Sequence, residues 1–153
     1  MMAWLLRCSG FLAITIFAAG CDANSPERSL VAAEGVVTMG GKPLAQATVE
    51  FIPLGETKGA GGSGVTDEMG RYKLFSRRGG TGVLPGEYRV TVSLWTHKDG
   101  SPLKPEENSI DTPDAIQRVP AIYTDMDRSP LKVYVDENSP NLPELKLESQ
   151  VKR

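Results

Sequence analysis

The sequence predicts an all-β domain, an antiparallel β-sandwich, and three observations carry that prediction. Arg71-Tyr72-Lys73-Leu74-Phe75 and Glu87-Tyr88-Arg89-Val90-Thr91-Val92-Ser93-Leu94-Trp95 alternate along their length, and on a strand residues two apart share a face. Tyr88, Val90, Val92 and Leu94 are expected in a core, with Arg89, Thr91 and Ser93 toward water, as in a sheet with one buried side. The 153 residues include 16 Gly and 11 Pro at 40% hydrophobic content, a composition suited to many short strands joined by turns. Both cysteines, Cys8 and Cys21, precede Asp22. The folded part therefore has neither a disulfide nor a thiolate metal site, and it depends on its packed interior.

The chain opens on an address. Residues 1–20 carry one early Arg7, an apolar run from Phe11 to Ala19 and a small-residue ending, the pattern of a cleaved secretory signal peptide too short to span a bilayer comfortably. Ala18-Ala19-Gly20-Cys21 resembles the lipobox of bacterial lipoproteins, with Ala18 where the commonest form has Leu. The resemblance implies cleavage before Cys21 and lipidation of that residue with diacylglycerol and an N-acyl chain such as palmitate. At about 0.8 kcal/mol per buried CH₂, several chains hold a protein on a membrane where one chain is marginal. The expected location is the bacterial cell membrane, lipid-anchored and facing the periplasm or the exterior. Residues 21–33 then read as lipidated cysteine and short polar tether.

The body, residues 34–149, follows in order. A first strand is expected at Glu34 to Met39, a tight turn at Gly40-Gly41 and a second strand from Ala47 to Pro53. Gly55 to Gly64 reads as a mobile glycine-rich loop. It contains Gly59-Ala60-Gly61-Gly62-Ser63-Gly64, a formal GxGxxG, but a dinucleotide fingerprint needs a helix directly after it, and a strand end and hairpin follow instead. In Asp67 to Gly70 an acidic side chain can bond the turn amides. Two acidic residues fall far short of a calcium shell. Beyond Trp95 a proline-rich insert near residues 96–120 breaks the pattern, with one or two helical turns expected from Thr112-Pro113-Asp114 until Pro120. Strands resume at Leu131 to Val135 and at Leu145 to Glu148, where Leu145 and Leu147 alternate with Lys146 and Glu148.

Gly35-x-Val37, Gly41-Lys42-Pro43-Leu44-Ala45-x-Ala47-x-Val49-x-Phe51-x-Pro53, Gly64-Val65-Thr66-Asp67-x-x-Gly70-x-Tyr72-x-Leu74 and Pro85-Gly86-x-Tyr88-x-Val90-x-Val92 together resemble the carboxypeptidase regulatory-like, transthyretin-like domain. More closely they resemble small bacterial lipoproteins that consist of little else, as do Val119-Pro120-x-x-Tyr123 and Ser129-Pro130-Leu131-x-Val133-x-Val135. The resemblance implies an Ig-like sandwich of about seven strands and no catalysis. It brings no functional residues, because these positions are turn glycines and core side chains.

Residue types in patterns suited to catalysis are few. The net charge of −2 gives no footprint for a polyanion, so nucleic acid is not an expected partner. His97 is the only histidine, and a zinc peptidase of the carboxypeptidase kind needs at least two plus a glutamate base. Ser93, His97, Asp99 and Ser101 are residue types of a hydrolase triad, but no nucleophile elbow or oxyanion motif accompanies them. No catalytic residue, metal or cofactor is therefore predicted. Possible ligand contacts are Trp95, as a stacking surface for sugar rings, and Arg77 with Arg78, as an anion site; Tyr123 and Tyr134 are further aromatic candidates. Packing of Trp95 beneath the insert is the favoured alternative. The function expected is a non-enzymatic, membrane-anchored domain with a structural or protein-binding role in the cell envelope. The alternative is a carbohydrate-binding module on the cell surface.

Overall fold

The computed structural model describes residues 29–104 and 107–149. The signal peptide, Cys21 and most of the tether lie outside the described residues. Among those described, no helix is long and apolar enough to cross a membrane.

The fold is all-β and built of several antiparallel sheets. The first sheet is organised on β1 (Glu34–Met39), which pairs antiparallel with β2 (Lys42–Pro43) and with β5 (Arg71–Lys73). On its other side β1 runs parallel to β11 (Leu145–Leu147), so the first and last strands lie together, with Val37 opposite Leu145. The second sheet has the order β10-β7-β3-β4-β6, where β3 is Thr48–Pro53, β4 Gly62–Val65, β6 Phe75–Ser76, β7 Gly86–Ser93 and β10 Lys132–Val135. A two-stranded ribbon of β8 (Trp95–Thr96) and β9 (Ile116–Gln117) closes the base of the insert. Val37, Tyr72, Leu145 and Leu147 of the first sheet and Val49, Phe51, Tyr88, Val90, Val92, Val133 and Val135 of the second meet in one core.

The period-two pattern explains this directly. Val49 and Phe51 on β3 stand opposite Val92 and Val90 on β7, and all four are fully buried. Phe51 sits between Tyr72 and Tyr88, with ring centroids 6.2 and 5.7 Å away and tilted planes, a favourable aromatic arrangement. Tyr88 Oη donates to Leu84 O at 2.6 Å, tying the strand's start to the turn that precedes it. Thr66 Oγ1 donates to Leu44 O at 2.6 Å and accepts from Ala47 N at 2.8 Å, so a buried hydroxyl satisfies two backbone groups of the adjoining loop.

Several expectations change. Gly55 to Gly64 is not a loop throughout: Gly62 to Val65 is β4, with Gly62 and Gly64 buried. A Cβ on Gly62 would lie 2.8 Å from Phe75 O, and one on Gly64 would lie 2.2 Å from Lys73 O. The glycines serve close approach of two backbones, because Arg71 to Ser76 crosses from the first sheet to the second at this point. The outer face of β7 is not simply wet either. Thr91 is buried, and Arg89 Nη1 donates to Met126 O at 3.2 Å and to Asp127 O.

The helix expected from Thr112 is absent. Ile116–Gln117 is extended and paired with Trp95–Thr96, Asp114 is engaged by His97, and the short helix α1 (Ala121–Thr124) begins after Pro120 rather than ending there. Finally, the packed body begins ahead of Glu34, since Val31 and Val83 exchange backbone hydrogen bonds at 2.8 and 3.0 Å and Ala33 is buried.

Candidate functional site

The strand that changes sheets shapes the surface around it. On Arg71 to Ser76, Tyr72 and Leu74 point inward, so Arg71, Lys73 and Phe75 point out. Phe75 stands opposite Ser63, and Val65 stands opposite Thr48. The outer faces of the two sheets thus run into each other and enclose an open groove of about 970 Å³.

Apolar side chains line much of it. Phe75 is 56% exposed and Val65 63% exposed, with Val36 and Leu142 beside them. Leu142 is held there by its own N–H, which donates to Glu34 O at 2.8 Å. Along the rim, Lys73 Nζ pairs with Glu34 at 2.8 Å and Arg71 Nε with Asp67 at 3.4 Å. These exposed pairs add little stability, but they leave the rim electrically balanced.

Asp67 also fulfils the turn role expected of it, accepting from Met69 N at 2.9 Å and Arg71 N at 2.8 Å. The Arg71 amide is the chief reason its carboxyl titrates below the ordinary range, with burial opposing. Tyr72, which also borders the groove, is buried, its hydroxyl has no partner among the described residues, and that burial raises the phenol.

The ligand contacts expected from the sequence do not come together. Arg77 Nη2 is paired with Glu50 at 2.9 Å. Arg78 borders a smaller hollow with Leu30 and Leu84, and Trp95 lies on the ribbon at the base of the insert, 38% exposed. The two arginines thus sit in different settings, one guanidinium on a glutamate and the other beside a hollow. Trp95 is therefore partly covered and partly presented to solvent. Of the other aromatics, Tyr123 is buried and accepts from Glu148 N at 3.1 Å, whereas Tyr134 is 67% exposed.

His97 does not meet the triad residue types near it in sequence. Its Nδ1 faces both oxygens of Asp114 at 3.2 Å, and its Nε2 faces Glu107 at 3.3 Å. Asp99 is taken by Ser101, whose hydroxyl donates to it at 2.6 Å. Among the described residues no group of His, Cys, Asp or Glu is arranged to hold a metal ion.

Known proteins add no further guide. Comparison with protein families, with curated proteins and with solved structures finds no match.

Alternation along each strand identifies its core-facing residues and does not by itself reveal the groove. A signal was nonetheless present: Phe75 shares parity with Arg71 and Lys73, which assigns a large aromatic to the wet face.

Proposed function

We propose that this chain is a non-enzymatic, lipid-anchored domain of the bacterial cell envelope that holds a protein partner in the groove beside Phe75. The single observation behind this reading is an apolar concavity whose bordering charges are already neutralised in pairs. A partner suited to it presents apolar side chains with no excess of either charge, since a strongly charged segment would find no free counter-charge on the rim. Phe75 is 56% exposed, so burying the remainder would supply roughly half of the full side-chain value, about 1–2 kcal/mol.

The scaffold we infer is the Ig-like sandwich of carboxypeptidase regulatory-like domains. The motif residues quoted above support it, together with the hydroxyl of Tyr88 returning to Leu84 O, which is similar to the tyrosine corner of Greek-key sandwiches. The anchor we infer is the lipid on Cys21, supported by the lipobox-like ending of the apolar leader.

A photo-crosslinking residue at position 65, introduced into the chain in intact cells, tests the docking reading. One dominant protein adduct is expected, lost in Phe75→Asp and absent when the probe is moved to position 134. Equal adducts from both positions would refute the reading. Mass spectrometry of the membrane-extracted chain tests the anchor, with a lipid mass that disappears in Cys21→Ser. A second reading, a glycan-binding surface, has the partial exposure of Trp95 in its favour; a Trp95-dependent fluorescence change on titration with polysaccharide would support it.

A further inference from the structure

The insert carries an arrangement that neither docking nor packing requires. Both ring nitrogens of His97 face carboxylate oxygens, Nδ1 toward Asp114 and Nε2 toward Glu107. A neutral imidazole has one N–H and one lone pair, so only one of these contacts can then be a hydrogen bond. The other becomes a lone pair set against an anion. Both are hydrogen bonds only in the imidazolium.

We propose that His97 is a proton-operated clasp: protonated, it ties Glu107 and Asp114 to the end of β8, and on deprotonation it releases one of the two.

The surroundings support this sign. Asp114 and Glu107 face the ring directly, and Asp99 adds a further negative charge nearby. Of the nearby cations, Arg118 is committed to other acceptors, and Lys104 acts on Glu107. Arg118 donates to Thr96 Oγ1 at 2.7 Å and to His97 O at 3.1 Å. Lys104 contributes its backbone N–H to Glu107 at 2.7 Å, and Lys98 is the ring's neighbour in sequence. The Asp114 carboxylate is the main reason the imidazole titrates above its ordinary 6.5, with Glu107 adding to it and desolvation opposing. A raised folded value means the clasp's contribution is complete below the unfolded value and is lost as pH rises through the folded one.

The base of the insert does not depend on this proton. β8 and β9 pair through their backbones, and Gln117 Oε1 accepts from Leu94 N at 2.9 Å and Val119 N at 3.0 Å. Release is therefore confined to the stretch from Glu107 to Asp114. This inference stands apart from the groove, which lies on other strands.

Because His97 is the only histidine, nitrogen-detected NMR of the full-length chain in detergent follows it without assignment ambiguity between about pH 5 and 9. The expected result is a pKa above 6.5 that falls in both Asp114→Asn and Glu107→Gln. Amide exchange at residues 107–114, corrected for intrinsic base catalysis, should accelerate several-fold across the same titration, and β7 amides should not change. A His97 pKa at or below 6.5, or corrected exchange that is flat with pH, overturns the proposal. His97→Gln should abolish the pH dependence. Should that variant not fold, the two carboxylate variants, which leave the core untouched, decide the matter.

Discussion

Two buried tyrosines receive the same perturbation and should respond with opposite signs. Tyr88 and Tyr72 both line the core against Phe51, but Tyr88 Oη donates to Leu84 O at 2.6 Å, whereas Tyr72 Oη has no partner among the described residues. Replacing Tyr88 with Phe removes a hydrogen bond of about 1 kcal/mol net and leaves a carbonyl unmatched. Replacing Tyr72 with Phe removes a group whose unmatched burial costs about 1–3 kcal/mol. Lost contacts of the oxygen, which lies 2.5 Å from where a Cβ on Gly35 would be, take back part of that gain. The expected outcomes are about 1 kcal/mol less stable for Tyr88→Phe and about 1 kcal/mol more stable for Tyr72→Phe, near 4 °C in Tm either way. Urea unfolding followed by far-UV circular dichroism measures both, with m unchanged if only the folded state is affected. Equal destabilisation by the two substitutions would refute the reasoning, since it would require Tyr72 Oη to have a hydrogen-bonding partner such as buried water.

Two further predictions concern the strand switch. Gly64→Ala sets a Cβ 2.2 Å from Lys73 O, so we expect a loss above about 3 kcal/mol, seen as failure to give a cooperative melt, whereas Gly41→Ala meets no atom and should cost only its left-handed strain. For Asp67, whose carboxyl is held below 3.8 by the amides it accepts, stabilisation is present above that value and lost as pH falls through the folded one. The Tm gap between the wild type and Asp67→Asn should accordingly be constant near neutrality and close in acid; a gap that widens in acid would reverse the assignment.

Much of the fold was legible because it rests on local rules. The span of β1, the turn at Gly40 and Gly41 with φ of 58° and 78°, and the buried row Tyr88, Val90 and Val92 all follow from alternation and turn chemistry. The groove and the clasp were less so. Phe75 was legible in its parity but not in its neighbours, because the concavity exists only where two sheets meet. His97 was legible as a lone histidine, yet its partners lie 10 and 17 residues away, across an insert whose helical signal at Thr112-Pro113-Asp114 was overridden. Pairing of Ile116–Gln117 with Trp95–Thr96 satisfied the backbone there, which left Asp114 free to face the imidazole.

The sequence by itself determined which residues of each strand are apolar and where the chain turns, because both depend on a side chain and its nearest covalent neighbours. It also determined that the interior, without cysteines beyond Cys21, must hold by packing. Only the tertiary structure decided that β1 lies parallel to β11, that glycines 62 and 64 admit a crossing backbone, and which carboxylates meet His97. Those are contacts between segments remote along the chain, and their formation depends on how the sheets stack, which no short stretch of residues encodes.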